Sequence, residues 1–244
     1  EMRTSDYVRL LVLAAIWGAS FLFMRIAAPA FGSVNTTFLR VFFALVGLAA
    51  MLLLLRTPMQ FQGKLKSIMV LGIINSGVPF LMYAIAALWL PAGYSAILNA
   101  TTPLMGVLIG ALAFGERITA ARVGGVVLGM AGVAVLAQAG PVALTPEVLG
   151  GMAACLVATA CYGLAGFLTK RWVTERGGLD SRIVALGSQM GAVLVLVPVV
   201  AWELLRQPAA ATAWMAAPAP VWGALLALGL LCTALAYVLY FRLI

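Results

Sequence analysis

Apolar residues run along this chain in stretches of roughly 20, each closed by a short polar segment. That length crosses ~30 Å of hydrocarbon at 1.5 Å per helical residue. About eight such stretches meet the length criterion, at 7–28, 34–55, 67–88, 92–114, 121–139, 148–169, 183–202 and 221–243. Period-two alternation is missing, so the stretches predict helices and not the strands of an outer-membrane barrel. The connections are short, and the longest, 203–220, is rich in Ala and Pro. The pattern therefore predicts an all-α membrane protein, with the whole chain in one helical bundle.

Composition sharpens this reading. Hydrophobic residues make up 64% of the chain and charged residues 9%, with a mean hydropathy of +1.12, whereas soluble domains carry about 25% charged residues. Arg3 and Arg9 ahead of an apolar run, with small Ala28 and Ala30 behind it, also fit a cleaved signal peptide. The length of that run and the internal repeat described below argue for a retained span. Cys155, Cys161 and Cys232 all fall inside apolar stretches, where Cys acts as a small hydrophobe, so no disulfide framework and no metal site is expected.

The net charge of +8 does not point to nucleic acid, because the basic residues are confined to short connections. Counting connections alternately from the N-terminus, one side holds Arg3, Arg9, Arg56, Lys64, Lys66, Arg117, Arg122, Lys170, Arg171, Arg176 and Arg182, and the other offers Arg206. Cytoplasmic loops carry the Lys/Arg excess, so the N-terminus is expected in the cytoplasm.

The stretches also repeat. Leu71-Gly72-Ile73-Ile74-Asn75-Ser76 and Leu228-Gly229-Leu230-Leu231-Cys232-Thr233 stand 157 positions apart (228 − 71), and the same shift lays Tyr83 on Tyr240. Trp17-Gly18 matches Tyr162-Gly163 and Arg25 matches Lys170 at a shift of 145 (162 − 17). A unit of five helices is odd in number, so the second copy enters from the opposite face. That is inverted-topology duplication, frequent among secondary transporters. It divides the chain into a first five-helix repeat, 1–139, and a second, 140–244, which holds three helices. Under the shift of 157, Ile244 corresponds to Ala87 (244 − 157), whereas the first repeat continues to about Gln138. The repeat thus leads us to expect a functional protein longer by roughly 50 residues, enough for two more helices.

The run Ala86-Ala87-Leu88, Pro91-Ala92-Gly93, Thr102-Pro103-Leu104, Phe114-Gly115-Glu116-Arg117, then Gly125 and Gly129 through Gly132-Val133, resembles the EamA-type domain of the drug/metabolite transporter superfamily. Trp17-Gly18-Ala19-Ser20-Phe21 and Leu39-Arg40-Val41-Phe42-Phe43-Ala44 resemble its first and second helices. The resemblance implies a ten-helix exporter of amino acids or related small metabolites, aromatic amino acids among them. It also implies a central cavity between the two repeats.

Candidate chemistry is sparse. The chain has no His, and its seven acidic residues all lie at or outside span ends. Embedded carboxylates and histidines are the usual proton relays of pumps and antiporters, so a facilitator fits better. An intramembrane enzyme fits worse still, since acid–base chemistry needs a titratable group on the substrate. Arg40 is the exception among the charges. It lies roughly 9 Å into its helix, and two readings stand: snorkelling as an anchor, or facing a vestibule to meet an anionic or zwitterionic solute. For Arg25, nearer the interface, snorkelling is the expectation.

Asn75, Pro79 and Tyr83 share one face of the third stretch, and Ser95, Asn99 and Thr102 one face of the fourth. These polar stripes line a cavity or hydrogen-bond between helices; we expect the cavity for Asn75, Tyr83 and Asn99. Pro79 and Pro103 break the helical ladder inside their spans, which makes these spans the moving or binding elements, while Pro198 is a simple kink. Trp17, Phe21, Tyr94 and Tyr162 offer aromatic surface for a solute, or packing and interfacial anchoring. Gly106/Gly110, Gly125/Gly129 and Gly187/Gly191 read as close helix packing within the chain, with dimerisation as the alternative. Glu116 and Arg117 read as a structural anchor at the end of the fourth stretch.

Together these features lead us to expect an exporter in a bacterial inner membrane. It would move amino acids or similar neutral or zwitterionic solutes by alternating access as a gradient-driven uniporter. A proton-coupled antiporter and a non-transporting structural subunit are the alternatives. The expected partners are the solute and the lipid bilayer, with no cofactor, metal or nucleic acid, and the protein is a monomer or weak homodimer.

Overall fold

The computed structural model describes residues 4–117, 119–139 and 142–243. Arg3 and Ile244, used above, lie outside them. Among the described residues the secondary structure is entirely helical. The first two spans are continuous helices, α1 (Thr4–Phe31) and α2 (Ser33–Leu54). The third is α3 (Leu65–Gly72), a π-helical turn (Ile73–Gly77) and α4 (Val78–Trp89). The fourth is split into α5 (Ala92–Asn99) and α6 (Thr102–Phe114), and the fifth is α7 (Ala120–Ala139). Then come α8 (Pro146–Trp172), α9 (Ser181–Arg206) and the short α10 (Ala209–Ala216). The last span is α11 (Ala219–Leu226), a longer π-helical turn (Ala227–Leu235) and α12 (Ala236–Phe241).

Seven of the helical segments are long and apolar enough to cross a membrane; α7 carries a shorter apolar stretch, Ala120–Gly132. The helices start and stop within a few residues of the hydrophobic stretches, because the stretches end where charge or a capping residue makes the membrane interior unfavourable. Thr145 caps α8 by accepting from the Val148 N–H, and Asp180 caps α9 by accepting from the Arg182 N–H. Leucines such as Leu112, Leu54 and Leu128 remain largely exposed on the outside of the bundle, the surface lipid is expected to cover. The segment 203–220 is not a plain connection, since it folds part of its Ala-rich run into α10.

The prolines act differently from kinks. Pro79 and Pro103 each sit in the first turn of a helix, α4 and α6, where a missing N–H costs nothing. The cost falls instead on the carbonyls four residues earlier, those of Asn75 and Asn99. The Tyr237 hydroxyl donates to the first, and the Thr102 hydroxyl to the second at 2.8 Å. Pro198 lies within an unbroken α9.

The small residues mark where backbones meet. A Cβ on Gly72 would fall 1.8 Å from the Ser188 carbonyl oxygen, and one on Gly191 would fall 2.0 Å from that of Met69, so α3 and α9 touch backbone to backbone. Gly106 of the fourth span meets Gly163 of α8 in the same way. Gly125 has no such neighbour among the described residues, and Gly129 only Leu104 at 3.8 Å.

Candidate functional site

Between the first, second, third, fourth, sixth and last spans lies a cavity of about 260 Å³. Its walls carry Trp17, Phe21, Arg40, Asn75, Tyr83, Asn99, Thr102 and Tyr162, all expected from the sequence, together with Ser20, Met24, Phe80, Tyr237 and Tyr240. Pro79 and Tyr94 are buried but do not line it. Tyr94 packs into the apolar core beside Leu98 and Cys155, and Pro79 starts α4.

The walls are mostly aromatic and interlocked. Tyr83 lies edge-on to Phe21 at 5.1 Å and stacks on Tyr162 at 6.3 Å. Trp17 meets Tyr240 at 5.5 Å and Tyr237 at 6.1 Å between ring centroids. The Tyr83 hydroxyl donates to Asn99 Oδ1 at 2.8 Å, joining the polar stripes of the third and fourth spans. Asn75 Nδ2 is buried without a hydrogen-bond partner among the described residues.

Arg40 is the one cation on this wall, and it does not snorkel, being only 2% exposed. Its Nε donates to Thr233 Oγ1 at 2.9 Å, and Nη2 reaches the Cys232 carbonyl at 3.5 Å. The guanidinium carbon lies over the Phe80 ring, 3.6 Å from its centre, an arrangement worth about 2 kcal/mol when desolvated. Among the described residues no carboxylate pairs with it. Burying an arginine costs at least about 2.5 kcal/mol at mid-span, and neutral acceptors on one edge leave the rest of its five donors to the cavity.

The other charges anchor the bundle. Arg25 is exposed and donates to the Ala87 carbonyl near the end of α4, so it acts as a helix cap as well as an interfacial residue. Glu116 pairs with Arg122 at 3.1 Å, and Arg122 also donates to the Arg117 carbonyl, which ties the turn after α6 to α7. Outside the spans, hydrogen bonds from Arg182 hold the Asp180 carboxyl below its ordinary pKa.

The sequence repeat signalled one of the residues that the helical faces missed. Tyr240 corresponds to Tyr83 at the shift of 157, and both line the cavity. Tyr237 corresponds at that shift to Phe80 (237 − 157), which is also on the wall. Trp17 and Tyr162, matched at a shift of 145, share the cavity too.

Comparison with known proteins agrees with this architecture. The chain is 28% identical over 214 residues to a probable terminal-alkyne amino-acid exporter of Streptantibioticus cattleyicolor, covering 87% of this chain and 71% of that one. It is 30% identical over 129 residues to protein PecM of Dickeya dadantii, covering 53% of this chain and 42% of that one. A solved crystal structure superposes over 98% of this chain and 79% of its own, with a TM-score of 0.65 at 20% identity, which shows a shared fold. The model of the EamA-like transporter family matches residues 6–138, more than half of the chain. With its membrane-spanning helices and its buried central cavity, the protein belongs to the EamA-like transporter family.

Proposed function

We propose that the protein exports amino acids or similar small zwitterionic metabolites by alternating access between two inverted halves, driven by the gradient of the solute itself. The observation that carries this reading is Arg40, a buried cation with neutral partners, set in an aromatic cavity of about 260 Å³. A substrate carboxylate supplies the charge that the guanidinium lacks, through paired N–H donors. Its ammonium group finds the faces of Tyr83, Tyr162 and Trp17 by cation–π attraction, and an apolar side chain packs against Phe21 and Met24. The amino-acid exporter among the relatives supports this class of substrate.

The lining supports this drive. Among the described residues no Asp, Glu or His faces the cavity, so the proton relay common in antiporters has no visible donor there. The excess of Lys and Arg on one set of connections supports a cytoplasmic N-terminus, in what we read as a bacterial inner membrane.

Proteoliposomes test the proposal. L-phenylalanine loaded inside should leave down its gradient with membrane potential and pH gradient both collapsed, and L-phenylalaninamide, which has no carboxylate, should not. Arg40→Gln should weaken phenylalanine binding by about 30-fold or more, because stranding one partner of a buried charge pair costs about 2 kcal/mol or more. Proton movement linked to phenylalanine flux would overturn the uniport. Equal handling of the acid and the amide would overturn the role of Arg40.

A further inference from the structure

The contact between Arg40 and the last span has a twin. Gln189 Nε2 donates to Ser76 Oγ at 3.0 Å, while Arg40 Nε donates to Thr233 Oγ1 at 2.9 Å. Ser76 and Thr233 are 157 positions apart (233 − 76), the shift that superimposes the third and last spans. Arg40 and Gln189 are 149 apart (189 − 40), between the shifts of 145 and 157. In each case the second helix of one repeat donates to a hydroxyl in the π-helical turn of the other. The helices come close at a glycine beside both bonds, more tightly at the first. A Cβ on Gly72 would strike the Ser188 carbonyl at 1.8 Å, and one on its counterpart Gly229 would lie 2.7 Å from Phe43 Cβ and 3.0 Å from the Arg40 carbonyl. The molecule thus holds two copies of one joint between its halves.

The copies differ where it matters for a solute. Gln189 is neutral, fully buried and absent from the cavity wall, whereas Arg40 is charged and lines it. The turns differ as well. In the first, the Tyr237 hydroxyl covers the Asn75 carbonyl. In the second, the Ala236 N–H bonds back to Leu231, and Arg40 reaches the Cys232 carbonyl only at 3.5 Å, the outer limit of a hydrogen bond. An ionised carboxylate accepts roughly twice as strongly as a neutral oxygen, so of the two joints this one is exposed to competition from the cavity.

We propose that the Arg40 joint is released by substrate: a carboxylate in the cavity draws the guanidinium from Thr233 and Cys232 and frees the π-helical turn Ala227–Leu235 from α2, while the Gln189–Ser76 joint holds. This rests on the reading that the cavity receives a carboxylate. Occupancy then loosens one half against the other at a single point, which gives alternating access its trigger. π-helical turns are frequent at functional sites.

The sign of one measurement decides. If Thr233 competes with substrate for Arg40, Thr233→Val should tighten L-phenylalanine binding by about fivefold, the worth of one ordinary hydrogen bond, and leave L-phenylalaninamide binding unchanged. A monodisperse elution peak and cooperative thermal unfolding report that the variant is folded. If Thr233 merely orients Arg40, the same change weakens phenylalanine binding, and the proposal is overturned. A second readout uses the native Thr233. Cys232 is fully buried, its thiol directed at the Ile16 carbonyl. With Cys155→Ala and Cys161→Ala in place, phenylalanine should speed alkylation of Cys232 by a membrane-permeant maleimide about tenfold, and the amide should not. Slower labelling with phenylalanine would overturn the release. Phenylalanine binding that is indifferent to Arg40→Gln would bring down the carboxylate reading itself. Loss of binding in Arg40→Gln together with weaker binding in Thr233→Val would leave that reading standing and remove only the switch.

Discussion

Replacing Gly191 by Ala tests how α3 and α9 are held together. The added methyl would lie 2.0 Å from the Met69 carbonyl oxygen and 2.6 Å from its carbonyl carbon, and both are backbone atoms that no rotamer change can move aside. Ordinary contact begins at 3.4 Å, so α3 and α9 must part by about 1.4 Å (3.4 − 2.0). The facing Gly72, 1.8 Å from the Ser188 carbonyl by the same construction, has no slack to absorb the shift. Overpacking of a well-filled interior costs typically 1–3 kcal/mol, and with rigid atoms on both sides we expect about 3. For a chain of this size each kcal/mol moves the melting point by roughly 2–4 °C, so Gly191→Ala should melt about 6–12 °C below the parent. Gly223→Ala is the control. It sits in α11 with nothing within 4 Å of its added methyl, and it should gain a little from helix propensity, about 0.5–1 kcal/mol. The assay is thermal unfolding of detergent-purified protein, followed by tryptophan fluorescence and by loss of the monodisperse peak. Equal melting points for the two variants would refute the claim that backbone contact at Gly72 and Gly191 holds α3 against α9.

Cysteines placed singly at Asn75, Tyr83 and Asn99, with the three native cysteines removed, should react with a membrane-impermeant thiol reagent and be slowed by phenylalanine. Failure of all three to react in any transport state would mean that these stripes are helix-to-helix contacts. Asp180→Ala should cost about 1 kcal/mol of stability through the lost cap on α9, and Asp180→Asn much less, as read by the same melting assay. The pH dependence has a definite sign. A carboxyl whose pKa is lowered by folding stabilises above its unfolded value, and the benefit fades as pH falls through the folded one. The penalty of Asp180→Ala should therefore shrink below the usual aspartate range; a penalty that grows on acidification would contradict the bond from Arg182.

The spans were legible because burial in lipid demands long apolar runs, and α1, α2, α8 and α9 follow those runs closely. Faces were legible in part. Asn75, Tyr83, Asn99 and Thr102 reach one cavity because residues three or four apart share a helical face. Tyr94 was misleading, since an aromatic ring fills a core as well as it lines a cavity, and here it does the former. Hydropathy cannot foresee a π-helical turn, because inserting a residue into the hydrogen-bond ladder changes direction without changing polarity. Arg40 was ambiguous for a related reason. Its orientation depends on Thr233, which stands 193 positions further along the chain.

That separation has a consequence for assembly. The partners that satisfy Arg40 within the bundle, Thr233 and Cys232, belong to the last of the spans described here. At synthesis rates of about 5–20 residues per second, the 193 residues between Arg40 and Thr233 take roughly 10–40 s to emerge. Throughout that interval the nascent second helix carries a guanidinium that the lipid interior rejects. Its strongly apolar flanks must hold it in the membrane until the span that carries Thr233 arrives. The same arginine that lines the cavity thus ties the integration of α2 to the arrival of the span that carries Thr233.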